Sequence, residues 1–476
     1  MMIRVLIVLA IGMCMSVPHA AEEVRGETGE NWESVLAVDY WSGELSAAGM
    51  TLALGLEFAQ TPEGLRIFLD SPDQGVEGIP ASDVGHEDSK LIISFASLAA
   101  ELRVSFDNQS LSGVWVQAGR EVPITFSPAA RAGPTERPQT PKPPYPYQEH
   151  QIRFPSANGD FELAGTLLVP DTPPSAAVVL VSGSGPQDRD ESIAGHRPFL
   201  VLADHLARNG IGVLRYDDRG VGDSGGDHNT ASLSDFIDDA ASAVDALRST
   251  PDIGEAVTGL IGHSEGAMIA PAVANRERLD FVVLLAAPGI PASELILLQQ
   301  QRILEVGGAG PEPTMQSVET TRQLLRILAN EPDDERAGQA IQALYERRIR
   351  ETASVEMTGE QVRQAAGEAI RRSVNPWFRE LLSFDPLAEP ARIQARVLAL
   401  YGGLDLQVPP GQNAAPLRDA LGHLPASNFA VETIPGLNHL FQPAQTGHPA
   451  EYSAIETTIS PLVLERISGW IRSITQ

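Results

Sequence analysis

Apolar and polar positions change rhythm once along this chain, and the change divides it. Between residues 31 and 126, short apolar runs (Met50 to Phe58, Leu65 to Leu69, Leu91 to Phe95, Leu102 to Phe106) are separated by turns containing Gly, Pro and Asp. Such punctuation predicts a small all-β domain over residues 22–130. Pro134, Pro138, Pro141, Pro143, Pro144 and Pro146 follow, predicting a stiff polyproline-like spacer over 131–148. From residue 149 the apolar runs Ala176 to Val181, Ile211 to Leu214, Val257 to Ile261, Phe281 to Leu285 and Val397 to Leu400 alternate with amphipathic helical stretches. That alternation predicts an α/β unit over 149–476, a mostly parallel sheet covered on both faces.

Within the second unit the strand signal lapses from about 291 to 375 and helix formers take over, with apolar positions at Leu324, Leu325 and Leu328, then Ile341, Leu344 and Ile349. Long structureless loops are rare in compact domains, so a helical cap over the sheet is expected there. At the amino terminus, Arg4, an apolar run from Val5 to Met15 and small residues Ala20 and Ala21 have the layout of a secretory signal peptide, residues 1–21. The run falls short of the roughly 18 to 20 apolar residues a membrane span needs. A periplasmic or secreted protein, not inserted in a membrane once the signal is removed, is the expectation.

Charge and cysteine content narrow the chemistry. Acidic residues outnumber basic ones 62 to 34, a net charge of −28. Such a surface repels phosphate backbones, which argues against nucleic acid as a partner. The single cysteine, Cys14, lies in the signal segment. Loss of that segment leaves no thiol for disulfides, thiol catalysis or cysteine-bound zinc.

The pattern G-x-S-x-G occurs twice, at Gly262-His263-Ser264-Glu265-Gly266 and at Gly222-Asp223-Ser224-Gly225-Gly226. Context separates them. An apolar run, Val257 to Ile261, enters the first and a helical stretch from Ala267 leaves it, which is the strand-turn-helix arrangement of a nucleophile elbow. The second sits in a polar glycine-rich turn among helices, where a chymotrypsin-like β-barrel context is missing. Ser264 is therefore the candidate nucleophile and Ser224 a loop residue.

A serine hydroxyl needs a histidine to take its proton and a carboxylate to orient that histidine. Elbow-type hydrolases carry them in the order Ser, acid, His. Downstream, the strand Val397 to Tyr401 ends in Gly402-Gly403-Leu404-Asp405, and Val431 to Ile434 leads into Pro435-Gly436-Leu437-Asn438-His439. Three strand-end loops thus supply Ser264, Asp405 and His439. His423 and His448 also follow the acid, but a helix end and a Gly-Pro turn suggest surface roles. His263 is expected to point away from the serine into the sheet as a packing residue, and Asp385 to serve a turn. The oxyanion formed in acyl transfer needs preorganised N–H donors worth roughly 3 to 4 kcal/mol each. Glu265 N–H, next after the serine, is one candidate; Ser184 N–H, in Ser182-Gly183-Ser184-Gly185-Pro186 after the strand Ala176 to Val181, is the other. No dinucleotide fingerprint and no P-loop lysine occurs, so no nucleotide cofactor is expected.

With these strings in hand, Gly183-Ser184-Gly185-Pro186, Arg215-Tyr216-Asp217-Asp218-Arg219-Gly220, Gly262-His263-Ser264-Glu265-Gly266 and Leu437-Asn438-His439-Leu440-Phe441-Gln442, residues 150 to 476 resemble the α/β-hydrolase superfamily. The resemblance is to secreted bacterial hydrolases of the serine aminopeptidase and acyl-peptidase-like esterase type. It implies an α/β-hydrolase fold with a mostly parallel eight-stranded sheet and no metal. Ala267 departs from the Gly that many relatives carry. The expected function is hydrolysis of small-molecule carboxylic esters through an acyl-enzyme. Alternatives are a serine peptidase acting on short peptides, with Glu265 or Glu319 as an anchor for a free α-amino group, and a non-catalytic envelope binding protein that kept the fold.

Overall fold

The computed structural model describes residues 38–475, apart from 48–49, 62–63, 73–75, 88–89, 96–97, 99, 108, 118–119, 132–136 and 353–358. The proposed signal segment and Cys14 lie outside the described residues. Two compact units make up the chain, one from residues 1–135 with 303–374, the other from 136–302 with 375–476. The sequence reading drew the second unit from 149 to 476 with a cap at 291–375.

The first unit carries a nine-stranded, wholly antiparallel sheet. Its strands are β1 (Tyr40–Ala47), β2 (Met50–Thr61), β3 (Gly64–Ser71), β4 (Val76–Pro80), β5 (Asp83–Glu87), β6 (Lys90–Phe95), β7 (Ala100–Asp107), β8 (Ser110–Gln117) and β9 (Arg120–Pro128). They pair in the order β4-β3-β2-β1-β9-β8-β7-β6-β5. The two ends of that order, β4 and β5, are joined through Ala81 and Ser82 alone. A connection of that length reaches only about 11 Å, so the sheet curls until its ends meet. Ala81 N–H donates to Ile67 O of β3 and Ser82 N–H to Ser94 O of β6, both at 2.8 Å, which ties the seam from both sides. Inside lie Trp41, Leu45, Leu54, Leu56, Ile67, Leu69, Ile93, Phe95 and Phe126. Gly43 faces Phe126 across the β1–β9 pair, where a Cβ would stand 2.9 Å from the ring.

The insertion between the strands Phe281–Leu285 and Arg396–Gly402 is helical. It follows α1 (Pro198–Arg208), α2 (Leu233–Arg248) and α3 (Glu265–Glu277) in chain order and comprises α4 (Ala292–Val306), α5 (Pro311–Asn330), α6 (Asp334–Thr352) and α7 (Gly359–Ser373). Helix was expected there, and the anticipated core positions Leu324, Leu325, Leu328, Ile341, Leu344 and Ile349 are buried.

The second unit is built on an eight-stranded sheet: β10 (Tyr147–Pro155), β11 (Glu162–Pro170), β12 (Ala176–Val181), β13 (Ile211–Tyr216), β14 (Val257–His263), β15 (Phe281–Leu285), β16 (Arg396–Gly402) and β17 (Phe429–Ile434). Its order is β10-β11-β13-β12-β14-β15-β16-β17. β10 and β11 run antiparallel, β11 meets β13 antiparallel, and every later pairing is parallel. β12, β13 and β15 are buried at every position, as strands covered on both faces must be. α8 (Pro376–Ser383), α9 (Pro410–Ala420) and α10 (Pro461–Ile474) complete the unit. This is the expected α/β-hydrolase architecture preceded by an all-β region. The hairpin β10–β11 carried no separate signal in the sequence: β10 is a half-exposed edge strand without a continuous apolar run.

Part of the proline-rich segment belongs to this unit rather than spanning open space. The Arg137 guanidinium donates to the carbonyls of Gly195, Ala194, Ile455 and Ser453. Gln139 Oε1 accepts from Thr458 and Ile459 N–H, and its Nε2 donates to Ile459 O. The stiff prolines hold an already docked strap.

Candidate active site

Parallel strands send their carboxyl ends to one edge of a sheet, and the loops there can converge. Ser264 stands between β14 and α3 with φ 55° and ψ −111°. A non-glycine residue at positive φ costs roughly 1 to 3 kcal/mol and persists only where its surroundings enforce it. Two glycines enforce it here. A Cβ on Gly262 would lie 2.0 Å from Gly266 O, and one on Gly266 would lie 2.1 Å from Val181 O, so no larger residue fits where strand, helix and β12 touch. The serine amide donates to Leu285 O at 2.8 Å. Its side chain is half-buried while its neighbours are buried.

Asp405, 2% exposed, lies in the loop after β16. Its Oδ1 accepts from Gln407 and Val408 N–H, each at 2.8 Å, and its Oδ2 accepts from His439 Nδ1 at 2.8 Å. A carboxylate so held keeps the His439 proton on Nδ1 and leaves Nε2 with its lone pair. His439 follows β17 in a loop shaped by Asn438, whose Oδ1 accepts from Leu440 and Gln442 N–H and whose Nδ2 donates to Gln442 Oε1. Asn438 and Gln442 are fully buried. Both were part of the string that carried the resemblance, though only the loop they shape explains their place in it.

His263 corrects the sequence reading. It is buried, as expected of a packing residue, but it points to the histidine loop rather than away. Its Nε2 lies 3.0 Å from His439 O and the two rings are 4.7 Å apart. Its Nδ1 lies 2.8 Å from Glu191 Oε1. Ser264 thus follows directly on a residue that touches His439. His448 corrects it too: it is 6% exposed, not a surface residue, and its Nδ1 accepts from Ala450 N–H. His423 is exposed and bonds Ile393 O through Nε2, and Asp385 accepts from Leu387 N–H in a turn. The Ser224 hydroxyl donates to Asp217 O and accepts from Ala164 N–H, which fixes it in a structural loop.

The loop after β12 approaches the elbow: a Cβ on Gly183 would stand 3.4 Å from Ser264 Cβ. Gly183 N–H is committed to Glu191 Oε1 at 2.8 Å, whereas Ser184 is exposed. Asp218 braces this loop, its two oxygens accepting from Ser182 Oγ and Gln187 N–H. Burial pushes the Asp218 carboxyl well above the usual range. Glu265 opens α3, where the first N–H groups have no partner within the helix. Its side chain is buried and accepts from Trp377 Nε1 at 2.8 Å. Burial raises its pKa to about 7 against the opposing pull of that bond. Glu319 spends its carboxylate on Arg322 and Gln323 of its own helix, which lower its pKa.

Sequence reasoning did not single out Glu191, Asp218 or Trp377. Each acts through a partner distant in the chain, and only Asp218 lay in a quoted string. No group of three His, Cys, Asp or Glu set to hold a metal occurs among the described residues, and no helix among them is long and apolar enough to cross a membrane.

A sequence model of the family described as serine aminopeptidase, S33 matches residues 172–442, more than half of the chain. Esterase EstD of Thermotoga maritima is 27% identical over 332 residues, covering 69% of this chain and 68% of that protein. Among solved structures, an esterase of Pyrococcus furiosus is 14% identical with a TM-score of 0.42, covering 69% of this chain and 92% of its own. The proline iminopeptidase of Mycobacterium smegmatis is 16% identical with a TM-score of 0.40, covering 68% and 99%. An elbow serine, a buried carboxylate–imidazole pair and the matched family model lead to one assignment: the chain is a serine hydrolase of the α/β-hydrolase superfamily and belongs to the serine aminopeptidase S33 family.

Proposed function

We propose that the protein hydrolyses small-molecule carboxylic esters through an acyl-enzyme on Ser264. The observation that carries this reading is the Asp405–His439 pair at 2.8 Å, two and three strands along the same sheet from the strained elbow serine. His439 Nε2 takes the Ser264 proton as Oγ attacks the ester carbonyl. The resulting oxyanion is received by Glu265 and Ser184 N–H. His439 then passes the proton to the departing alkoxide, and water, activated by the same imidazole, releases the acid and restores Ser264. Asp405 holds the ring in the required tautomer and stabilises the imidazolium formed in each half-reaction.

An ester is favoured over an amino-terminal peptide by the state of the two acids the sequence offered as anchors for an α-ammonium. Glu319 is engaged on its own helix, and Glu265 is buried and easily protonated. Turnover of short p-nitrophenyl esters and of aminoacyl anilides on one preparation tests the preference; faster anilide cleavage would reverse it. Replacing Ser264 by Ala is expected to lower ester turnover about a millionfold and to abolish fluorophosphonate labelling. Full activity in that variant defeats the reading. Export to the periplasm or medium, proposed from residues 1–21, is checked by the mass of the mature chain, and a mature protein retaining those residues would refute it.

A further inference from the structure

One buried carboxylate has no part in the acyl-transfer steps yet touches two loops of the site and reaches a third through His263. Glu191, 4% exposed, stands between β12 and α1 at φ 52°. Its Oε1 meets Gly183 N–H, next to Ser184, and His263 Nδ1, next to Ser264, each at 2.8 Å. His263 Nε2 reaches the carbonyl oxygen of His439 at 3.0 Å. A carboxylate and a carbonyl both accept hydrogen bonds, so a ring bonded to both donates from both nitrogens and is an imidazolium. Positive φ at an acidic residue is a strain of roughly 1 to 3 kcal/mol, sustained here by bonds that converge on its side chain and by Glu191 N–H donating to Asp188 O.

We propose that Glu191 and His263 form a charged clamp that sets the oxyanion loop, the nucleophile elbow and the His439 loop relative to one another, and that they are positioning residues for acyl transfer. The inference rests on the reading of Ser264 and His439 as nucleophile and base. The carboxylate also holds the Gly183 amide, next in the chain to Ser184. The rings of His263 and His439 each have a carboxylate of their own, Glu191 and Asp405, so His439 can take up a proton although a charged ring lies beside it.

The groups facing His263 are Glu191 from the β12–α1 loop, Asp405 from the loop after β16, and His439 together with the uncharged Phe441 ring from the loop after β17. Burial pulls the His263 pKa down, but the charge and bond of Glu191, the His439 carbonyl and the Asp405 charge raise it on balance. The clamp is therefore closed on the acidic side of that raised value and opens as pH rises through it. Without the Glu191 charge, opening moves to lower pH.

The test uses the full-length protein with Glu191→Gln, Glu191→Asp and His263→Asn. Steady-state ester hydrolysis is followed across pH, active sites are titrated with a fluorophosphonate, and melting is recorded. Glu191→Gln and His263→Asn are expected to lose about 10- to 100-fold in kcat per titrated site with KM nearly unchanged, since small displacements of reacting groups carry costs of that size. In Glu191→Gln the alkaline limb of kcat should move down by about one pH unit or more. Glu191→Asp, which keeps the charge, should restore the limb toward wild type. Wild-type kcat and pH profile in Glu191→Gln and His263→Asn would overturn the proposal. So would a loss of activity matched by loss of titratable sites, with kcat per site unchanged. Failure of the parent reading shows differently, as a wild-type protein that neither turns over esters nor labels at Ser264.

Discussion

In β6 of the nine-stranded sheet, burial alternates from exposed to buried along the strand, whereas β12 and β15 of the eight-stranded sheet are buried at each position. The first sheet curls on itself and needs only one apolar face; the second is flanked by helices and needs two. That difference decides where chemistry can reside. A curled antiparallel sheet returns its chain at both ends through short turns, as at Ala81 and Ser82. A parallel sheet must cross over after each strand, and its crossovers leave from a shared edge, where Ser182–Ser184, Ser264, Asp405 and His439 are found. One sheet turns its buried residues to a core; the other also carries loops that leave from one edge.

The sharpest way to break this division is to change the loop edge without touching a core. Asp405→Asn keeps the shape of the side chain but permits the wrong His439 tautomer, and kcat should fall about 10⁴-fold, with little change in melting temperature. A fall of less than tenfold would show that the pair is not used as described. Next in size, Phe126→Ala empties a fully buried site opposite Gly43 in the curled sheet. It should cost that unit about 3 to 5 kcal/mol, read by calorimetry, while kcat per titrated site stays at the wild-type value. A parallel drop in kcat would mean the two sheets do not divide the work.

The smallest expected effect sharpens the contrast from within the catalytic unit. Glu265 is raised from its ordinary carboxyl value to about 7 by burial, against the Trp377 bond. The folded state then holds a proton that the unfolded chain releases, so stability is greatest below the ordinary carboxyl range and declines as pH rises toward 7. On the order of 3 kcal/mol is at stake. Glu265→Gln, which can still accept from Trp377, should flatten that decline in a series of melts between pH 4 and 8. An unchanged slope would place the carboxyl in contact with water.

Much of the catalytic unit was legible beforehand because its signals are local. A continuous apolar run such as Ala176 to Val181 can only be a buried segment, and glycines flanking Ser264 mark a turn that no side chain fits. The edge strand β10 was not legible, because a half-exposed strand lacks such a run. His263 and His448 were misplaced for a related reason: their neighbours in sequence describe a strand end and a turn, but the direction of the first ring and the burial of the second depend on the folded surroundings.

Periodicity and punctuation, which act over a few residues, were enough to mark the two kinds of sheet and the strand-end loops that carry Ser264, Asp405 and His439. Tertiary structure alone decided that the nine strands curl shut and that Glu191 reaches His263 across 72 positions of chain. Hydrogen bonds between distant loops carry no periodic trace, because their partners are chosen by the folded backbone rather than by spacing along the sequence.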